Sequence, residues 1–185
     1  TSFITILGSA GGAIGLSLQG SLSNFAGGIL ILILKPFVVG DYVSVCGCEG
    51  TVAVISLFYT TLHTVDNRNV VLPNGSLSNS NITNYSANEI RRVDMSVDVG
   101  YGSDLKKARE VIMDILNQDE RILKDPAPIV AVDNLGDSGV TILMRPWVKC
   151  EDYWAVKWNV LETVHNRLNA EQIDIPFPQM TVHLD

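Results

Sequence analysis

From Thr1 to Leu34 the chain carries no Asp, Glu, Lys or Arg. About 20 mostly apolar residues are enough to cross a bilayer, so this stretch is long enough to be a membrane segment. Its centre is a run of small residues, Gly8-Ser9-Ala10-Gly11-Gly12-Ala13-Ile14-Gly15-Leu16-Ser17-Leu18-Gln19-Gly20. As one straight helix the stretch would measure about 50 Å at about 1.5 Å per residue, against a hydrocarbon core of about 30 Å. It is therefore expected to tilt or break. Gln19-Gly20-Ser21, where polar residues and Gly separate two apolar halves, is the expected kink. The first half then spans, and Leu22 to Leu34 turns away.

Turned at about 100° per residue, the first half separates its side chains by size. Phe3, Ile4, Leu7, Ile14 and Leu18 share one side, while Thr5, Ser9, Gly12 and Leu16 run down the centre of the other. Gly8, Gly11 and Gly15 flank that line on one side, and Ala10, Ala13 and Ser17 flank it on the other. A two-helix GxxxG contact needs one small stripe. Two flanks around a narrow line suit a ring, in which the Gly flank of each helix meets the Ala/Ser flank of the next. Thr5, Ser9, Gly12 and Leu16 then face the axis, and Leu16 becomes a hydrophobic constriction that closes by dewetting. A tightly packed helix in a bundle without a pore fits the same pattern. A dinucleotide fingerprint does not: the glycines would open a wholly uncharged helix, and no acidic residue occurs before Asp41, beyond the spacing of about 20 that a ribose contact needs.

All 13 basic and 20 acidic side chains lie beyond residue 34, with a net charge of −7, so an ordinary soluble composition follows the apolar segment. About 150 residues suffice for two small domains. The acidic balance argues against a nucleic-acid partner, which calls for a basic patch. Cys46, Cys48 and Cys150 are odd in number and lack a second pair at metal spacing, which points to reduced structural thiols and a cytosolic setting. The chain starts without Met, inside the apolar run and with no basic leader, and reads as truncated at its N-terminus.

Gly27-Gly28 is a second soft point in the apolar run, and Lys35-Pro36 ends the helix, since proline cannot continue it and lysine suits a membrane surface. Lys35 also marks this end as cytoplasmic. From Phe37 to Ser86 the hydrophobic period changes to two, with strands expected at Tyr42–Cys46, Thr51–Tyr59, Thr61–Val65 and Asn69–Leu72 and a turn at Pro73-Asn74-Gly75. This is a small all-β unit of four or five strands. Beyond Ile90 the order becomes strand (Val93–Val99), helix capped by Ser103, strand (Ile129–Leu135), strand (Val140–Val148), helix (Asp152–Ala170) and strand (Met180–Leu184). That order, β-α-β-β-α-β, matches a ferredoxin-like plan, which by itself indicates no function.

No catalytic, cofactor-binding or metal site emerges. His63, His165 and His183 lie on three separate elements without ligand-spaced partners. Trp154 and Trp158, four apart, are expected to pack their helix onto the sheet, with Trp147 nearby. Glu151 and Asp152 stand at a helix start, where negative charge favours the dipole.

Taken in order, Leu18-Gln19-Gly20-Ser21-Leu22-Ser23-Asn24, Lys35-Pro36-Phe37, Gly40-Asp41-Tyr42-Val43, Gly50-Thr51-Val52, Pro73-Asn74-Gly75, Ile82-Thr83-Asn84-Tyr85-Ser86 and Pro176-Phe177-Pro178-Gln179-Met180 resemble the small-conductance mechanosensitive channel (MscS) family, over essentially the whole chain. The resemblance implies a membrane protein of mixed α plus β class. Its parts would be a kinked pore-lining helix (1–35), an Sm-like β domain (36–86), a ferredoxin-like α/β domain enclosing a cytoplasmic vestibule (87–178) and a C-terminal barrel strand (179–185). It further implies a homoheptamer in the inner (plasma) membrane, contacting lipids and opening under tension to release ions and small osmolytes during hypo-osmotic shock, without enzymatic activity. Gln19, Gly20 and Gly28 take the hinge positions, and the two membrane helices that normally precede this one are absent. The family places two leucine rings one turn apart; this chain keeps Leu16 and has Gly12 in place of the other. A non-conducting oligomeric scaffold and, remotely, a nucleotide-binding enzyme are the competing readings.

Overall fold

The computed structural model describes residues 2–182. The chain forms two compact units that divide between Ala87 and Asn88.

The first unit begins with α1, Ser2–Leu34. The helix is uninterrupted: Gln19, Gly20 and Ser21 all remain helical, so the expected break is absent from the hydrogen-bond ladder. Glycine lowers helix propensity by about 1 kcal/mol but removes no N–H donor, so any bend at Gly20 is taken up within helical geometry. Ser9 donates to the Thr5 and Ile6 carbonyls (2.9 and 3.0 Å), and Ser17 donates to Ala13 (2.8 Å), which satisfies hydroxyls that an apolar setting would strand. The helix stops where Lys35 turns to φ 48° and Pro36 follows without a donor.

Strands β1 (Tyr42–Val45), β2 (Cys48–Ile55), β3 (Tyr59–His63), β4 (Asn69–Pro73) and β5 (Ile82–Asn84) form one antiparallel sheet in the order β4-β3-β2-β1-β5. The C-x-C pair frames a two-residue hairpin: Cys46 and Gly47 both have positive φ, and Val45 pairs with Cys48. The strand expected over Thr51–Tyr59 ends at Ile55, because Ser56 N–H turns back to the Tyr59 carbonyl at 2.9 Å. Pro73-Asn74-Gly75, expected as a turn, starts a short helix instead, α2 (Asn74–Ser78), with Pro73 at its N-cap position. The core holds Val43, Val45, Val52, Leu62 and Leu77, together with Ile31 from α1 and Phe37 just beyond it.

The second unit joins β6 (Ile90–Arg92), β7 (Met95–Val99), α3 (Leu105–Gln118), β8 (Ile129–Leu135), β9 (Val140–Arg145), β10 (Trp147–Lys149) and α4 (Tyr153–Ala170). The sheet order is β7-β9-β8, all antiparallel, and β6 pairs separately with β10. The single strand expected over Val140–Val148 is thus two strands on different sheets. Pro146, which has no donor for a continuous ladder, separates them, and its carbonyl accepts from Val93 N–H at 2.8 Å.

The cap of α3 is Asp104 rather than Ser103; its carboxylate accepts from the backbone N–H groups of Lys106 (2.9 Å) and Lys107 (3.0 Å). α4 buries Val156, Val160, Val164 and Leu168. This apolar stripe takes the place expected for the tryptophans. Trp154 and Trp158 are 48% and 65% exposed and lie against each other, with ring centroids 5.7 Å apart.

After α4 the described residues contain no further strand of the ferredoxin-like order. Ile173 is buried and Gly100 N–H donates to the Asp174 carbonyl at 2.9 Å, but residues 173–182 form no strand. Met180 and Val182 are exposed, so the strand expected at Met180–Leu184 has no neighbour to pair with along its described part. His183, Leu184 and Asp185 lie outside the described residues.

Asp104→Ala should cost about 1 kcal/mol and loosen the first turn of α3, whereas Ser103→Ala should be close to silent. Hydrogen exchange of the Lys106 and Lys107 amides in the intact protein distinguishes the two. Faster exchange in Ser103→Ala with unchanged protection in Asp104→Ala would return the cap to Ser103.

Candidate functional site

The two halves of α1 use glycine in opposite ways. At Gly8, Gly11, Gly12, Gly15 and Gly20 an added Cβ would meet nothing within 4 Å. Ala10, Ala13 and Ser17 on the other flank are also exposed, as are Thr5, Ser9 and Gln19, and Leu16 is 74% exposed. Among the described residues, nothing of this chain packs on these glycines. Small residues on a helix allow close approach of another backbone.

Further along, the glycines are filled up to. Gly27 and Gly28 are buried. A Cβ at Gly28 would overlap the Leu57 carbonyl oxygen, and one at Gly27 would overlap the Asn74 carbonyl oxygen. The arrangement is reciprocal, since a Cβ at Gly75 would lie 2.8 Å from Ser23 Oγ and 2.9 Å from Asn24 Oδ1. Backbone meets backbone here, and α1 lies directly on α2 and the β2–β3 turn. This gives Gly28 a reason to be glycine other than the flexibility expected of it.

Polar groups lock the same contact. Gly75 N–H donates to Asn24 Oδ1 at 3.0 Å. Asn74, fully buried, receives the Thr60 hydroxyl on Oδ1 (2.8 Å), donates Nδ2 to the Ser56 carbonyl (2.7 Å) and donates its backbone N–H to Phe58 (2.9 Å). Among the described residues no buried side-chain nitrogen or oxygen is left without a partner. Phe25 and Phe58 add an aromatic contact, centroids 5.9 Å apart, and Ile31 enters the β-unit core. Each hydrogen bond contributes only about 0.5–1.5 kcal/mol net, but a buried group stripped of its partner costs about 1–3 kcal/mol. The contact is therefore close to all-or-none.

Asn24, Asn74 and Gly75 stand in sequence motifs, yet nothing local joins Asn24 to a residue some fifty positions away, and Thr60, Ser56 and Gly27 carry no sequence signal for this role. The residues considered for chemistry do not assemble. His63 is exposed, and among the described residues His165 bonds to Asn166 and Asn169. Cys46, Cys48 and Cys150 form no disulfide among the described residues, and Asp152 makes no side-chain cap bond at α4. Among the described residues no three of His, Cys, Asp and Glu come together to hold a metal ion.

A family model described as the mechanosensitive ion channel beta-domain matches residues 20–87, and one described as the C-terminal part of the mechanosensitive ion channel MscS matches residues 93–175. An uncharacterized MscS family protein of Synechocystis is 42% identical over 184 residues, covering 100% of this chain and 62% of the relative. A small-conductance mechanosensitive channel of Edwardsiella ictaluri is 42% identical over 175 residues, covering 95% of this chain and 61% of the relative. The crystal structure of Helicobacter pylori MscS in its closed state superposes with a TM-score of 0.95 at 38% identity, covering 100% of this chain and 74% of the other. Arabidopsis MSL1 shares the fold at 20% identity with a TM-score of 0.79, covering 94% of this chain and 65% of the other. The chain spans about six-tenths of the length of the curated relatives it matches.

Asn74→Ala should strand the Thr60 hydroxyl and the Ser56 carbonyl and destabilise the helix-to-sheet contact by about 1–3 kcal/mol. Gly28→Ala should separate the two backbones, at a comparable overpacking cost. In both variants amide exchange over residues 74–78 should accelerate while α3 exchanges as before. Unaltered exchange over residues 74–78 would mean that this contact does not hold the helix.

Proposed function

This chain belongs to the MscS family of mechanosensitive ion channels, a channel family rather than an enzyme family, and on that premise we propose that it forms the pore helix and soluble domains of a tension-opened channel subunit. One observation carries the reading. The same helix that presents an unpartnered small-residue face in its first half is fixed by backbone contact to the β unit in its second.

In the proposed assembly, a homoheptamer in the plasma membrane, the Gly8, Gly11 and Gly15 flank of each α1 receives the Ala10, Ala13 and Ser17 flank of the next. This is a head-to-tail contact that closes into a ring. Thr5, Ser9, Gly12 and Leu16 face the axis. Seven Leu16 side chains make a narrow apolar collar that empties of water when closed. Tension widens the ring and wets the collar, and ions and small osmolytes leave the cell during hypo-osmotic shock.

Gly20 is the point at which the helix alters its bend between states, with Gln19 beside it. The Asn24–Gly75 and Gly28–Leu57 contacts keep the second half with the soluble unit while the first half moves. Lys35, the first charge, sits at the cytoplasmic membrane surface, with both soluble units on that side and lipid headgroups beside it. The exposed Met180 and Val182 belong to a C-terminal barrel strand that completes its hydrogen bonds only with other subunits. No cofactor takes part.

Patch recording of the intact protein under suction tests this reading against a non-conducting scaffold, which passes no current at any tension. Leu16→Ser should wet the collar, lower the opening tension and slow growth through leak; gating at the parental tension without leak would place the axis against another face of α1. Gly12→Leu should add a second ring one turn away and raise the opening tension. Gly11→Leu or Gly15→Leu should block close helix approach and shift or abolish gating, and both an intact heptamer and unchanged tension would rule out the ring contact. Gly20→Ala, which favours a straight helix by up to about 1 kcal/mol per subunit, should change inactivation under sustained tension.

A further inference from the structure

The tip of the β1–β2 hairpin carries two thiols, Cys46 and Cys48, separated by Gly47. Neither takes part in the contact that holds α1. Cys46 has φ 52° and Gly47 φ 73°, the pair of positive values that a two-residue hairpin loop of this kind requires. Asn-Gly fills such a loop readily, whereas an ordinary side chain in the left-handed region costs about 1–2 kcal/mol. Local propensity therefore gives no account of a cysteine at position 46. The turn also brings the two thiols together. Successive Cα atoms are about 3.8 Å apart, so residues two apart are separated by at most about 7.6 Å, and by less where the chain folds back. A disulfide spans Cα separations of about 4.4–6.8 Å, and the hairpin loop brings Cys46 and Cys48 into that range.

Their surroundings differ. Cys46 is exposed, while Cys48 lies opposite the buried Val45 and is half-buried. Cys46 Sγ lies 3.3 Å from the hydroxyl of Ser80, which follows the end of α2. Ser80 is bonded back to that helix, donating its hydroxyl to the Ser76 carbonyl (2.6 Å) and its N–H to the Leu77 carbonyl (3.2 Å). The exposed thiol is thus tied to the helix on which α1 rests. Cys150 stands apart from both: its Sγ donates to the Asn88 carbonyl at 3.0 Å, and burial holds its thiol above the usual range.

We propose that Cys46 and Cys48 form a reversible disulfide by exchange with a low-molecular-weight disulfide, and that closing it releases Ser80 from the hairpin. The exposed Cys46 thiolate attacks one sulfur of the small disulfide, forming a mixed disulfide and expelling one small thiolate. The Cys48 thiolate then attacks Cys46 Sγ and expels the second. The two protein thiols are oxidised, the small disulfide is reduced to two thiols, and the protons given up by the cysteines go to the leaving thiolates. Disulfides in a reducing compartment are as a rule transient and redox-sensing, the use to which an exposed pair on a loop is suited. Once oxidised, Cys46 has no S–H and its sulfur is held by Cys48, so the contact with Ser80 is given up. This chemistry is independent of conduction.

The test is titration of the intact protein with mixtures of glutathione disulfide and glutathione, followed by alkylation of the remaining thiols under denaturing conditions and measurement of the intact mass. The expected result is the joint loss of two alkylation sites within one subunit, both restored by dithiothreitol, with Cys150 still alkylated. Cys48→Ser should stop the reaction at the mixed disulfide, with one glutathione retained on Cys46. Cys46→Ser should leave Cys48 unmodified, and Cys150→Ser should close the pair as the parent does. Hydrogen exchange over residues 76–82 should be faster in the oxidised parent than in the reduced one. Glutathione retained on Cys46 of the parent, a disulfide between subunits, or two thiols that stay reduced throughout the titration would each overturn the pairing. A disulfide that forms with exchange over residues 76–82 unchanged overturns the release of Ser80.

Discussion

The backbone-to-backbone contact of Gly27 and Gly28 with Leu57 and Asn74 joins a helix of membrane composition to a soluble sheet. Two helix surfaces held apart by side chains can slide, whereas peptide groups in direct contact have one arrangement or none. Asn74 reinforces this by accepting from Thr60 on its side-chain carbonyl and donating its amide to Ser56, so that moving it strands the buried Thr60 hydroxyl on β3 and the Ser56 carbonyl in the β2–β3 turn. Ile31 and Phe37 follow the same path into the sheet core. The end of α1 is in this sense part of the β unit, and the rest of the helix extends from it.

That anchoring gives the free half of α1 its meaning. Its glycines could have reflected a bundle within the chain, yet they face open space, while the later glycines are filled to overlap. The same residue type marks a finished contact in one half and an unfinished one in the other. An uncharged helix more than thirty residues long, with a bulky side and a small side, has to satisfy the small side with other helices, because lipid offers it no tight packing. The family to which the chain belongs supplies the setting, and the proposed subunit contacts fall on the glycines that face open space.

In the second unit, α3 and α4 cover the sheet with Val111, Ile112, Ile115, Val156, Val160 and Val164, and polar side chains remain outside. Much of what looks chemically suggestive there is local support. Asp104 caps α3, and Arg121 closes on Asp119, whose carboxyl this hydrogen bond holds below its usual range.

The amino-acid sequence by itself determined the uncharged span, its division into a bulky and a small face, the change to period two after Pro36, most strand positions and the two helices of the second unit. These follow from composition and periodicity, which act over a few residues. It also suggested a turn at Pro73-Asn74-Gly75 and buried tryptophans on α4, where a longer-range condition prevailed, and a cap at Ser103 and a single strand through Pro146, where the neighbouring Asp104 and the missing proline donor decided locally. Asn74 is drawn inward by Thr60 and Ser56, residues that only sheet pairing brings near. The valine stripe of α4 fits the sheet and turns Trp154 and Trp158 outward. A strand at Met180 needs an edge to pair with, and its described part meets none. Which glycines are packed was also decided only by tertiary structure, because Gly12 and Gly28 are alike in sequence and differ only in whether another backbone lies across them.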